Sequence, residues 1–224
     1  MIGLWTKDWC EKQGLACLYQ EEMTSTNELA KQNLSKFSFP YFVLCDYQKQ
    51  GRGRGQNTWT PSSKGNALYL SICFRSCKAY PPINSARIGL LLYESLQTNF
   101  KQKFSVKAPN DIYLNNKKLA GLLLESVQSD WHYLIVGVGI NVLDTPNMEN
   151  AICLDQNISK EKWCAFLDTF WQKIKSSDLS EKQLKPYEQE ELTTAVKNFD
   201  SKLQSLDAEG NLHYKDHTIS WLEI

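Results

Sequence analysis

Histidine is scarce in this chain, with 3 in 224 residues, and the seven cysteines include no Cys-x-x-Cys pair. Without metal-ligand spacing, a zinc finger or histidine-rich metal centre is excluded as the organising feature. The cysteines (10, 17, 45, 73, 77, 153 and 164) are odd in number, fall mostly in apolar runs and read as free thiols of a reducing compartment. Long hydrophobic stretches are also missing. The longest apolar run, Tyr133 to Leu143, falls far short of the roughly 20 residues of a membrane helix. The segment Met1 to Trp9 lacks the apolar core of a secretory signal. A cytoplasmic protein without a membrane partner is the expectation. Charge of either sign is not in excess, since Lys plus Arg and Asp plus Glu each number 25. The whole-chain field therefore does not draw polyanions strongly, and nucleic acid is not expected as a partner.

What is present is an ordinary globular mixture, 42% hydrophobic and 22% charged, without internal repeats or low-complexity tracts. Ser25 and Glu28 stand at capping-box spacing before a short helix that runs to about Leu34. Apolar patterning predicts strands at Tyr41 to Tyr47, Ala67 to Phe74, Asp111 to Leu114, Lys118 to Val127 and Trp131 to Val142. Asn115-Asn116-Lys117 marks a hairpin turn between two of them. Helical spacing predicts a principal helix over Ile83 to Phe100 and others over Ser159 to Lys175 and Glu181 to Ala195. Short antiparallel strands are expected around Asp207-Ala208-Glu209-Gly210. A boundary near residue 185 separates an expected catalytic unit, 1–185, from a small C-terminal β segment, 186–224.

Between the first two expected strands lies Gln48-Lys49-Gln50-Gly51-Arg52-Gly53-Arg54-Gly55. Glycines permit close backbone approach, and Arg52 and Arg54 supply fork-shaped donors for a carboxylate or phosphate. A small anionic ligand suits such a loop, although a solvated Arg-Gly loop has the same composition. Three further segments stand in a distinctive order: Thr24-Ser25-Thr26-Asn27, Lys107-Ala108-Pro109-Asn110-Asp111 with Lys118-Leu119-Ala120-Gly121, and Gly137-Val138-Gly139-Ile140-Asn141.

Over about residues 20 to 145 this set resembles the catalytic domain of biotin protein ligases. The resemblance implies an α+β fold: a mixed, largely antiparallel sheet with helices on one face, followed by a small C-terminal β domain. It implies activation of biotin with ATP to biotinyl-5′-AMP, then transfer to a lysine of a biotin-carboxyl-carrier domain. Ser25, Thr26 and Asn27 match residues that bind the ureido ring, and Gln48 a glutamine lining the biotin site. Arg52, Gly53 and Arg54 match the Arg-Gly-Arg loop, expected to order over bound ligand, with Arg54 also reaching the adenylate. Lys107 matches the lysine at the reacting carboxylate and phosphate, which makes Lys107, Arg52 and Arg54 the expected catalytic set. Gly121, Gly137 and Gly139 bring backbone close to biotin. Asn110 and Asn141 are expected at the nucleotide, although Asn110 with Asp111 suits a turn equally well.

Mg²⁺ is expected to arrive with ATP, with no dedicated protein metal site. Three positions depart from the family pattern: Ala108 stands where tryptophan is usual, and Gly55 and Asn57 where arginines are common. Trp59 matches a tryptophan after the loop and is read as a core anchor. A lipoate or octanoate ligase or transferase of the same fold is the alternative. A DNA-binding regulator is disfavoured because about 24 residues precede the Ser25 motif, too few for a winged helix. Monomer and homodimer are both left open.

Overall fold

A computed structural model describes residues 1–224. Its elements in chain order are α1 (Ile2–Lys12), β1 (Ala16–Met23), α2 (Thr26–Gln32), β2 (Tyr41–Gln48), β3 (Ala67–Ser76), α3 (Asn84–Asn99), β4 (Phe104–Lys107), β5 (Asp111–Leu114), β6 (Lys117–Gln128), β7 (His132–Asn141), α4 (Lys160–Ser176), α5 (Pro186–Lys197), β8 (Ser205–Leu206), β9 (Asn211–His213) and β10 (Thr218–Ser220). The first seven strands form one sheet in the order β1-β2-β3-β7-β6-β5-β4, and the last three a small separate sheet. Only the β1–β2 pair is parallel. The fold is α+β with a mixed, largely antiparallel sheet. No helix is long and apolar enough to cross a membrane.

Side-chain alternation along the strands separates two faces. Phe42 and Leu44 of β2, Leu68, Leu70 and Ile72 of β3, and Val136, Val138 and Ile140 of β7 join α1, α3, α4 and α5 in the main core. The opposite face carries a smaller apolar cluster around Tyr41, Tyr69 and Ile135, covered by Ala30 of α2. So the short α2 stands alone on the face away from the other helices. Leu192, Leu206, Leu212 and Trp221, all beyond residue 185, belong to the same main core as the sheet.

Three elements were not foreseen: the short strand β4, helix α1 and strand β1. Helix α1 has few strongly apolar residues, yet Ile2, Trp9 and Cys10 are buried on the helix face of the sheet. Strand β1 lies at the sheet edge, and its half-exposed pattern lacks clean alternation. The capping box at Ser25 also needs correction. Ser25 is the N-cap residue of α2, but its hydroxyl caps nothing, and Glu28 turns instead to Arg52 and Lys31. Helix α5 begins at Pro186 rather than Glu181, because proline suits the first helical turn and the Glu188 carboxylate accepts the Lys185 N–H at 2.8 Å. At the β5–β6 turn, Asn115 and Asn116 both take left-handed backbone, as a two-residue hairpin requires.

Arg87 of α3 and Glu188 of α5 form an ion pair at 3.0 Å, each side chain 1% exposed. The guanidinium also donates to Asn84 Oδ1 and to the carbonyls of Glu181 and Gln183, so its hydrogens are shared out inside the protein. This pair fixes α5 and the segment before it against α3. Removing one partner strands a buried charge, so Glu188→Ala is expected to lose about 3–5 kcal/mol of stability. Urea unfolding of the variant beside wild type measures this, and a loss below about 1 kcal/mol would contradict the structural role.

Candidate active site

The site lies on the sheet face opposite the main core and is built in rows. Cross-strand register places Lys107, Asp111, Gly121, Gly139 and Tyr69 in one line across β4, β5, β6, β7 and β3. The next row toward α2 is Leu123, Gly137 and Ser71, followed by Glu125, Ile135 and Cys73. Glycine therefore occupies this face at three adjoining positions of two central strands, and a trough replaces what side chains would fill. A Cβ on Gly137 would lie 2.5 Å from Asn27 Oδ1, and on Gly121 or Gly139 at 2.9 or 3.0 Å from the Trp59 ring. The resulting cleft has a volume of about 370 Å³, within the range usual for small-ligand sites.

One end of the cleft is buried and polar. Asn27 Nδ2 donates to the Leu123 carbonyl at 3.1 Å and to Glu125 Oε2 at 2.8 Å, while Oδ1 accepts from Ser71 Oγ at 2.5 Å. Both hydrogens of the amide are spent, which leaves oxygen as its face to a ligand. Gln48 is committed the other way. Its Oε1 accepts from Thr26 N–H at 2.8 Å and Thr26 Oγ1 at 3.2 Å, so Nε2 is the group it offers. Ser25, buried, completes this end with its hydroxyl.

The other end is cationic. Lys107 is exposed at the end of β4, its ammonium 5.6 Å from the Tyr113 ring and 5.8 Å from that of Phe199. A second ammonium, absent from the expected set, is Lys118. A register shift between Ile112 and Tyr113 leaves Leu119 as an extra residue in β6, and this bulge brings Lys118 to the same face as Gly121. Lys118 Nζ bonds Asp111 Oδ2 at 2.8 Å and stands 5.5 Å from the Trp59 ring. Its backbone is pinned by Ile152 and Asn150, which bond its carbonyl and N–H at 3.0 and 2.8 Å. The signal available in the sequence was the lysine three residues before Gly121. Trp59 packs against the smaller apolar cluster, as a core anchor does, and is in addition a cleft wall: it is half-buried over Gly121 and Gly139, with its indole N–H unpaired. Asp111 Oδ1 is likewise buried without a partner.

The glycine-arginine loop folds as a small hairpin. Gly53 N–H bonds the Asn57 carbonyl at 2.8 Å, Trp59 N–H bonds that of Gly51 at 2.9 Å, and Gly55 at the tip takes a φ of +65°. Arg52 is not free for an anion in this arrangement, because its Nη2 pairs with Glu28 and with Glu125 Oε1 at 3.0 Å. Arg54 reaches from the loop to the Leu222 carbonyl at 2.6 Å, and its Nη1 is buried without a partner. Asn110 Nδ2 donates to the Leu122 carbonyl at 2.7 Å, so it organises the turn while lining the cleft. Asn141 is not brought to the cleft: buried, it bonds Ser62 Oγ and the Ile152 carbonyl. Where tryptophan was missing at Ala108, the fully buried Trp221 donates its indole N–H to the Pro109 carbonyl at 2.8 Å. No group of three or more His, Cys, Asp or Glu side chains converges anywhere in the chain.

A cleft with a neutral donor-and-acceptor end, a glycine floor and two ammonium groups is the type of site that binds a small carboxylic acid. The chain belongs to the biotin/lipoate A/B protein ligase family, whose model matches residues 18–141. Among curated relatives, the bifunctional ligase/repressor BirA of Escherichia coli is 34% identical over 122 residues, which cover 53% of this chain and 38% of that protein. The chain thus spans well under half of that relative's length. The biotin protein ligase of Aquifex aeolicus, solved with biotin and ATP, matches with a TM-score of 0.68 at 21% identity, covering 91% of this chain and 94% of that one. The biotin acetyl coenzyme A carboxylase synthetase of Helicobacter pylori, with bound biotinylated ATP, gives 0.67 at 19% identity over 91% and 98%. These two establish the fold.

Burial raises the Glu125 pKa, but hydrogen bonds from Lys31 and Asn27 and the Arg52 charge outweigh it and hold the carboxyl below its ordinary value of 4.5. A depressed carboxylate stabilises above its unfolded value, and the contribution fades as pH falls through the folded one. The hairpin is therefore expected to hold from neutrality to about pH 5 and to loosen below pH 4.5. Hydrogen exchange at the Gly53 and Trp59 amides, corrected for intrinsic rate, reports it; protection that persists unchanged at pH 3 would show that Glu125 does not hold the loop.

Proposed function

We propose that the protein is an ATP-dependent biotin protein ligase, which converts biotin to biotinyl-5′-AMP and transfers it to a lysine of a biotin-carboxyl-carrier domain. The observation that carries this is the fixed polarity of the buried end. A ureido ring has one carbonyl and two N–H groups, and it meets an amide oxygen on Asn27, an amide N–H on Gln48 and the hydroxyls of Ser25 and Thr26. A lipoyl or octanoyl chain offers nothing to these groups and would leave buried polar atoms unpaired, at about 1–3 kcal/mol each.

In this reading the bicyclic ring lies on Gly121, Gly137 and Gly139 against Trp59, and the acid points toward the ammonium groups. A carboxylate attacking the α-phosphate brings two anions together, and fixed cations stabilise both the encounter and the transition state. Lys118 is the ammonium nearest the glycine floor, and Lys107 stands further out, where phosphate oxygens of ATP are reached. Arg52 and Arg54 close the loop over the acid and the adenylate. Mg²⁺ accompanies ATP as the counter-ion of its phosphates. A protein metal site does not fit the residues present, and no step is assigned to one.

The acceptor lysine then attacks the mixed anhydride, forming an amide and releasing AMP. Its partner is a carrier domain whose lysine reaches the open side of the cleft. Duplex DNA is not proposed as a partner, because the chain carries no excess of positive charge, with Lys plus Arg and Asp plus Glu at 25 each.

Incubation with biotin, MgATP and an acceptor domain, read by avidin blot, tests the assignment. Transfer of lipoate or octanoate in place of biotin would move it to the other branch of the family. Lys107→Ala is expected to lower pyrophosphate release at least about tenfold with a near-wild-type melting temperature, and Lys118→Ala to raise the KM for biotin as well. Normal adenylation by Lys107→Ala would leave Lys118 as the only ammonium group assigned to the reaction. Arg54→Gly is expected to release biotinyl-5′-AMP and label an unrelated lysine-rich protein beside the acceptor; equal acceptor selectivity in the two enzymes would exclude retention by Arg54.

A further inference from the structure

We infer that Glu125 is a positioning residue that fixes which side of the Asn27 amide faces the substrate and joins that choice to the placement of the Arg52 loop. The inference rests on the reading of the cleft as a biotin site and assigns the origin of its selectivity. Glu125 lies in the third row of the sheet face, beyond the glycine floor. Its Oε2 accepts from Asn27 Nδ2 at 2.8 Å, and Oε1 accepts from Lys31 Nζ at 2.8 Å and Arg52 Nη2 at 3.0 Å. One carboxylate thereby ties α2, β6 and the glycine-arginine hairpin together.

The amide orientation follows from what surrounds it. A carboxylate and the Leu123 carbonyl can only accept, so they hold the NH₂ side of Asn27, and the Ser71 hydroxyl donates to the oxygen. The oxygen is then the group available to a ureido N–H. Gly137 is part of the same device, because any Cβ there would displace the Asn27 oxygen. A glutamine at position 125 can donate as well as accept. It permits the flipped Asn27, which sets N–H against N–H at the ligand, and it removes one of the two anionic partners of Arg52, leaving Glu28.

Steady-state adenylation by Glu125→Gln is the test, with Lys31→Ala as control, since Lys31 shares the carboxylate but does not touch Asn27. Glu125→Gln is expected to raise the KM for biotin roughly 5- to 100-fold while kcat changes less than about threefold. Lys31→Ala should leave KM within about twofold. If wild type forms no adenylate from biotin, the functional reading fails first. If wild type is active and Glu125→Gln has an unchanged KM, or loses kcat and melting temperature without a change in KM, Glu125 is merely structural and the inference is overturned. Should Glu125→Gln fail to fold, Arg52→Gln and the double variant Arg52→Gln with Glu125→Gln provide the same comparison in the absence of the Arg52 charge. The added Glu125 change is again expected to raise KM, and equal KM values for those two variants would overturn it.

Discussion

Three glycines on one face of β6 and β7 are the constraint from which the rest of the site follows. A central strand normally gains stability from side chains on both faces, and glycine forfeits that packing at a cost in chain entropy. Here the lost packing is partly restored by side chains from elsewhere: Asn27 rests over Gly137, and Trp59 over Gly121 and Gly139. Space for a ligand and the walls of that space therefore have one origin. The core is unaffected, because alternate residues of the same strands face α3 and α4 and remain apolar. The sheet serves as a packed layer on one face and as a binding floor on the other.

Each chemical group at the cleft is held by a segment distant in sequence. Lys118 owes its direction to a bulge pinned by residues 150–152, and the turn after Lys107 is held from the C-terminal hairpin through Trp221 and Pro109. Arg54 reaches the same hairpin at Leu222. The C-terminal segment thereby touches two sides of the cleft, and it is attached through Leu206, Leu212 and Trp221 in the main core and, before them, through α5, which the buried Arg87–Glu188 pair fixes against α3. Loss of packing far from the cleft can thus reach the side chains that line it through backbone position alone.

Much of this was legible from the chain. The strands with clean patterning, the principal helix and the two-residue Asn115-Asn116 turn lie where alternation and turn chemistry place them. Most of the expected cleft residues do converge, because their segments occupy neighbouring strands and α2. What escaped has physical reasons. Helix α1 is anchored by a few large residues such as Trp9 rather than by a full apolar stripe, and β1 is an edge strand with mixed exposure. Lys118 and Trp59 depend on a bulge and on a ring lying over glycines, neither of which local patterning contains. Asn141 fits the motif but faces Ser62 and Ile152, since its orientation is decided by loops on either side. Ser25 shows the reverse: its spacing to Glu28 satisfies a local rule, yet Glu28 finds a stronger partner in Arg52.

The charges explain why a zero net balance is compatible with an anion site. Lys118 is paired with Asp111, and Arg52 with Glu28 and Glu125, so two of the four cations at the cleft are already matched, while Lys107 and Arg54 form no ion pair. Partly exposed pairs of this type are worth about 0–1 kcal/mol each, because water competes for both members. Exchanging such a partner for a ligand oxygen consequently costs little, whereas inserting the wrong group at Asn27 and Gln48 leaves buried donors and acceptors unmatched at about 1–3 kcal/mol apiece. Under the proposed function, discrimination therefore resides at the neutral end of the cleft, and the charged end supplies attraction and chemistry to whatever acid the neutral end admits.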